Sequence, residues 1–138
     1  MIERLKENLK NSYSPYSHYP VSALVKARDG RIYTGVNVEN ASYGATICAE
    51  RCAIIKAASE GIRPGDLEEL HLMVGSGKIG MPCFMCRQLI SEFFEDNKKI
   101  FCYSTEGDMK TFKVSDICPL PFGAEDLSTI KEDQQDPI

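Results

Sequence analysis

The 138 residues, 43% of them apolar, suffice for one domain with a buried core (1–138) and not for two. Formal net charge is −4 and the longest basic run is Lys98-Lys99, so no basic face is available to neutralise a phosphate backbone and no nucleic-acid partner is expected. No apolar run approaches membrane-spanning length, and Met1-Ile2-Glu3-Arg4-Leu5-Lys6 lacks the apolar core of a secretory leader, so no membrane partner and a cytoplasmic location are expected.

Ile2, Leu5 and Leu9 recur at helical spacing, which predicts an amphipathic helix over 2–11. Residues 12–20, rich in Ser, Tyr and Pro, form a shaped loop. Residues 21–27 and 31–38 are β-rich and flank Asp29-Gly30, predicting an antiparallel hairpin. At its end Asn37 and Glu39, two apart in extended chain, share a face. An amide beside a carboxylate acceptor can grip a diol; the same pair can also satisfy the backbone of a loop. After a turn over 40–45, Thr46 is a good N-cap for a helix over 47–59 that stops at Gly61.

Beyond the loop Arg63-Pro64-Gly65-Asp66, residues 67–74 read as a buried strand in which the lone His71 is a core or surface group rather than a ligand. The stretch 75–80 resembles a phosphate loop only superficially, because Ile79 follows Lys78 where Ser or Thr is required. Pro82 suits the first position of a second helix through Leu89, Ile90, Phe93 and Phe94. Residues 99–104 and 111–114, around Glu106-Gly107-Asp108, make another strand pair; 118–127 read as irregular, and 132–138 as polar enough to fray. This order predicts an α/β fold, a three-layer α/β/α sandwich with a mixed central sheet.

The chemistry lies in Cys48-Ala49-Glu50-Arg51 and Pro82-Cys83-Phe84-Met85-Cys86. Cys83-x-x-Cys86 alone fits half of a structural zinc site or a redox dithiol. Cys48-x-Glu50 adds a third thiolate and a carboxylate that need not bind metal. Three protein ligands leave a corner for water, as in catalytic zinc sites, and Glu50 is the candidate proton carrier. Three thiolates overbalance a divalent ion by one negative charge, and the two helix N-termini offset part of it. Arg51 or Arg87 can add hydrogen bonds to sulfur, with Arg51 favoured as the balancing charge. Cys52, Cys102 and Cys118 read as small buried apolar residues.

Together with Tyr13-Ser14-Pro15-Tyr16-Ser17, the stretch from Asn37 to Tyr43, Arg87-Gln88, and Phe122 ahead of Ala124-Glu125-Asp126-Leu127, these motifs resemble the small homotetrameric zinc-dependent cytidine deaminases over most of the chain. The resemblance implies the cytidine deaminase fold, one Zn²⁺ per chain held by Cys48, Cys83 and Cys86, and Glu50 as general acid/base. The implied reaction is hydrolysis of cytidine and 2′-deoxycytidine to uridine and 2′-deoxyuridine with release of ammonia, in pyrimidine salvage. It also implies a nucleoside held by Asn37 and Glu39 at the sugar 3′-OH, by Tyr19 against the base and by the Ala49 N–H at the base O2. In the implied homotetramer neighbouring subunits complete the pockets, Phe122 closing one and Tyr43 reaching across. Departures from the family are Tyr19 for phenylalanine, Ser22 and Phe84 for glycine, and Met81 for serine. Those at 19, 81 and 84 keep open a deaminase of a modified cytosine nucleoside or nucleoside antibiotic, with Phe84 expected to reshape packing beside the metal or narrow the pocket. A non-catalytic structural zinc module, closed by Cys52 one turn after Cys48, is the alternative from another class.

Overall fold

A computed structural model describes residues 1–128; the expected fraying of 132–138 lies outside them. The elements are α1 (Ile2–Leu9), β1 (Val21–Ala27), β2 (Ile32–Val36), α2 (Ala49–Ser59), β3 (Leu67–Val74), α3 (Phe84–Phe93), β4 (Lys99–Ser104), β5 (Met109–Lys113) and α4 (Val114–Ile117), with a 3-10 turn at Tyr43–Ala45. The strands form one sheet in the order β2-β1-β3-β4-β5. Only β3 and β4 run parallel, joined by the crossover through α3; the other pairs are antiparallel, so the sheet is mixed.

Strand alternation sorts the core into two faces. On one, Ala23, Val25, Leu70, Leu72, Ile100 and Cys102 meet Ala49, Ala53, Ile54 and Ala57 of α2 and Ile90 of α3. On the other, Leu24, Met73 and Tyr103 pack with Leu5 of α1. Helices therefore lie on both sides of the sheet, which makes the three-layer α/β/α sandwich. Gly35 lets α2 seat directly on β2, because a Cβ there would meet the backbone of Ala53 and Ala49. Ser22, facing α1, accepts from Asn8 Nδ2 at 3.0 Å, and the same amide donates to Gly35 O at 2.9 Å. His71 is a core group: it is buried, stacks on Phe101 and hydrogen-bonds Tyr103 Oη at 2.9 Å.

The helix expected over 2–11 ends at Leu9 and the strand expected over 31–38 covers Ile32–Val36; four further boundaries differ for a non-local or capping reason. The helix expected from 47 starts at Ala49, because Ile47 and Val38 exchange backbone hydrogen bonds of 2.9 Å that hold Ile47 extended. The helix expected from Pro82 starts at Phe84, with Cys83 as its extended N-cap at φ −68°, ψ 165°. β5 begins at Met109, since Ser104 Oγ accepts from the N–H groups of Glu106 and Asp108 and tightens the turn. Val114 opens α4, whose Asp116 carboxylate accepts the Lys113 N–H at 2.9 Å. The stretch 118–127 is not irregular throughout, since helix resumes at Ala124.

Candidate active site

Both sulfur-bearing helices begin with a cysteine as N-cap, Cys48 on α2 and Cys83 on α3, and Cys86 follows in the first turn of α3. Hence the two N-termini meet at one point. Cys48 Sγ lies 3.7 Å from Cys83 Sγ, which lies 3.5 Å from Cys86 Sγ, and all three sulfurs fall within 4.8 Å of one another. A tetrahedral zinc with bonds of about 2.3 Å separates its sulfurs by about 3.8 Å, so the donor set fits such an ion. Cys52 is not among the converging sulfurs.

One sulfur of the cluster, Cys48, is favoured as thiolate. Donation from the Cys86 thiol, helped by Cys83 and Arg51, outweighs burial and draws the Cys48 thiol down to about 5. The same contact, together with burial, pushes Cys86 up. Arg51 donates to Thr46 O at 2.9 Å and is the cation that acts on Cys48, while its Nε is buried with no partner among the described residues. Arg87 is engaged elsewhere: Nε donates to Pro82 O at 2.8 Å, Nη1 to Ile117 O at 3.2 Å, and the guanidinium lies over the Phe84 ring at 4.4 Å.

Glu50 sits in the first turn of α2, only 4% exposed. Burial pushes its carboxyl up to about 7, with the Cys48 charge adding to the effect and its own backbone N–H opposing it. A carboxyl poised there can both take and return a proton near neutral pH.

These groups open into a cavity of about 360 Å³. Tyr19, Asn37, Glu39, Ala49, Glu50 and Met81 all line it, beside Cys48 and Cys83. No Lys or Arg does so among the described residues. Asn37 Oδ1 accepts from Ser12 Oγ at 2.5 Å and Val21 N at 2.9 Å, and its Nδ2 donates to Tyr19 O at 2.8 Å. Glu39 accepts from the N–H groups of Tyr16 and Ser17, both at 3.0 Å, and from the Ser17 hydroxyl. The Ser17 hydroxyl is the main reason its carboxyl is held below the usual range. The pair therefore ties down the 12–20 loop, as the backbone-satisfying reading expects. It also keeps one amide N–H and one carboxylate lone pair, enough to donate to and accept from a single hydroxyl.

Three sequence expectations are sharpened or corrected. Phe84 does not line its own chain's cavity: the residue is 78% exposed and its ring lies under the Arg87 guanidinium. Met81 instead supplies part of the wall. Phe122 does not line the cavity beside its own chain's sulfurs; it lines a separate one of about 620 Å³ under the 118–125 segment. Tyr43 is exposed, its ring edge-on to Tyr16 with centroids 6.1 Å apart. Sequence reasoning missed Leu72 and Val74 as cavity walls, although their alternation along β3 carried the signal. It also missed Gly80, against which the Tyr19 hydroxyl packs so closely that a Cβ would lie 3.0 Å away; nothing local marks that contact.

Residues 1–104 match the family described as the cytidine and deoxycytidylate deaminase zinc-binding region. The cytidine deaminase of Sporosarcina psychrophila is 37% identical over 132 residues, covering 96% of each chain. That of Halalkalibacterium halodurans is 36% identical over 128 residues, covering 93% of this chain and 96% of its own. The crystal structure of cytidine deaminase from Burkholderia pseudomallei superposes with a TM-score of 0.84 at 34% identity, covering 88% of this chain and 95% of that one.

Proposed function

This chain belongs to the cytidine deaminase family, and from that premise we propose that it hydrolyses cytidine and 2′-deoxycytidine to uridine and 2′-deoxyuridine, releasing ammonia, as a zinc enzyme of pyrimidine salvage in the cytoplasm. The observation that carries the proposal is three sulfurs at tetrahedral-edge spacing beside a buried carboxyl in a nucleoside-sized cavity.

Cys48, Cys83 and Cys86 hold the ion, one per chain, and Arg51 offsets the surplus thiolate charge. When bound, zinc supplies Lewis acidity that brings water toward ionisation near neutral pH. Glu50 takes the proton lost as water adds to C4 and gives it to the ring N3, then carries the remaining proton from the C4 hydroxyl to the amine, which departs as ammonia. The Ala49 N–H, at the start of α2, meets the base O2. Asn37 and Glu39 hold the sugar 3′-OH, and Tyr19 lies against the base. Adjacent copies in a homotetramer complete the cavity with Phe122, and Tyr43 reaches across the same interface.

The family description spans nucleosides and a nucleotide, and the lining favours the nucleoside. A 5′-phosphate needs cations or helix N-termini to receive it. Here the N-termini converge on the sulfurs, and among the described residues the wall carries Glu39 and Glu50 without Lys or Arg. With Phe84 turned away, Met81 and Tyr19 are the wall departures left to favour a modified cytosine, and base-modified analogues test that reading directly. The structural-module reading loses its fourth ligand, since Cys52 stands apart from the other sulfurs.

The test is turnover by protein of measured metal content, following loss of the cytosine ultraviolet band together with ammonia. Cytidine and deoxycytidine should react with one ammonia per base converted, and deoxycytidylate should be poor. Silence on both nucleosides at one zinc per chain would overturn the proposal.

A further inference from the structure

Three polar contacts tie α3 to the segment carrying Phe122. Gln88 Nε2 donates to Phe122 O at 2.9 Å, Arg87 Nη1 to Ile117 O at 3.2 Å, and Cys118 Sγ to Arg87 O at 3.4 Å. On the far side the Gly123 N–H donates to Asp126 Oδ2 at 2.9 Å, and Gly123 O accepts the Asp126 N–H at 3.1 Å, capping the turn that opens at Ala124. The backbone of Phe122 is thus fixed at its own carbonyl and at the next N–H, yet the residue is 57% exposed. Ordering a backbone costs conformational entropy, and an exposed ring returns little of what burial would. A ring held this way is shaped to enter something. The cavity beside its own chain's sulfurs is lined by other residues.

Resting on the proposed function, in which Phe122 closes a neighbouring cavity, we infer that Gln88 is a positioning residue for a site in another chain. Its amide sets the carbonyl of Phe122, and so the direction in which the ring leaves the segment. Gln88 lies two residues after Cys86 but faces out from α3 and does not line its own chain's cavity. Its effect therefore passes through Phe122 to substrate binding next door, not to the sulfurs or Glu50 of its own site.

Gln88→Met keeps length and helical preference and removes the donor. The expected result is a rise of roughly three- to tenfold in KM for cytidine, the scale of one lost hydrogen bond, with kcat, zinc content and unfolding temperature nearly unchanged. Subunit mixing separates this from a local structural role. A Glu50→Gln chain retains Phe122 and a Phe122→Ala chain retains Glu50, so their mixture should exceed the summed activities of the two alone. Adding Gln88→Met to the Glu50→Gln chain should reduce that gain; adding it to the Phe122→Ala chain should not. A gain reduced only by the second combination, or no gain at all, overturns the inference. So does an unchanged KM in Gln88→Met when the wild type is active. A wild type silent on cytidine overturns the functional proposal, and this inference with it.

Discussion

The two helices that carry the sulfurs begin alike and are embedded differently. Both open on a cysteine N-cap in extended backbone, with ψ of 155° at Cys48 and 165° at Cys83. The first turn of α2 is then buried, with Ala49 at 0% and Glu50 at 4% exposure, and the helix lies against the sheet at Gly35. In the first turn of α3, Phe84 and Met85 face outward at 78% and 62%, and Cys86 alone of these turns in. The sulfur cluster is shared between the helices, whereas the buried carboxyl proposed to carry protons belongs to one. That division explains why residues between Cys83 and Cys86 can be bulky without entering the cavity, while the close approach of α2 to β2 leaves no room for a side chain at position 35.

The strongest test of the division is Glu50→Gln. It keeps shape and removes the titrating group, so kcat on cytidine should fall by roughly 10²- to 10⁴-fold while zinc stays at one per chain. Loss of zinc along with activity would move Glu50 from proton carrier to ligand. Gly35→Ala tests the seat of α2 rather than its chemistry. The added methyl meets backbone that cannot step aside, including Ala49 O at 2.5 Å, so stability should fall by about 1–3 kcal/mol, seen as a lower melting temperature. An unchanged melting temperature would mean that α2 does not depend on that close approach.

The convergence of the three cysteines and of Glu50 was legible because each helix N-terminus encodes its part over a few residues, and the α/β/α layering because the strands and helices have distinct periods. What stayed hidden depended on contacts between distant parts of the chain. The start of α2 is set by the Val38–Ile47 bridge, invisible to the local preference for Thr46 as a cap. Gly35 reads locally as a weak strand residue, and its purpose appears only once α2 is known to cross β2. The side to which Phe84 turns follows from Cys83, not Pro82, ending the extended segment, and from Arg87, held by Pro82 O and Ile117 O, presenting its guanidinium to the ring.

A smaller effect is expected at Cys52, a half-buried thiol one turn along α2. Cys52→Ala should leave zinc at one per chain and cytidine turnover within about twofold, with a stability change of about 1 kcal/mol or less. Metal analysis decides it, since a drop in zinc would give the site a fourth sulfur and return α2 to a structural role.

Phe84→Ala should change least, and this is where the contrast between the helices is sharpest. The ring contacts Arg87 at the surface, and an exposed cation–π pair is worth only about 0.5–1 kcal/mol. Alanine recovers part of that through its higher helix preference. Arg87 retains its bonds to Pro82 O and Ile117 O, so the turn presenting Cys83 should hold. The value of kcat/KM on cytidine should therefore stay within about twofold, with unfolding shifted by less than about 0.5 kcal/mol. A tenfold change in kcat/KM at constant stability would show that position 84 reaches substrate from outside its own chain. The first turn of α3 would then carry specificity as well as sulfur, and the division between the two helices would fail.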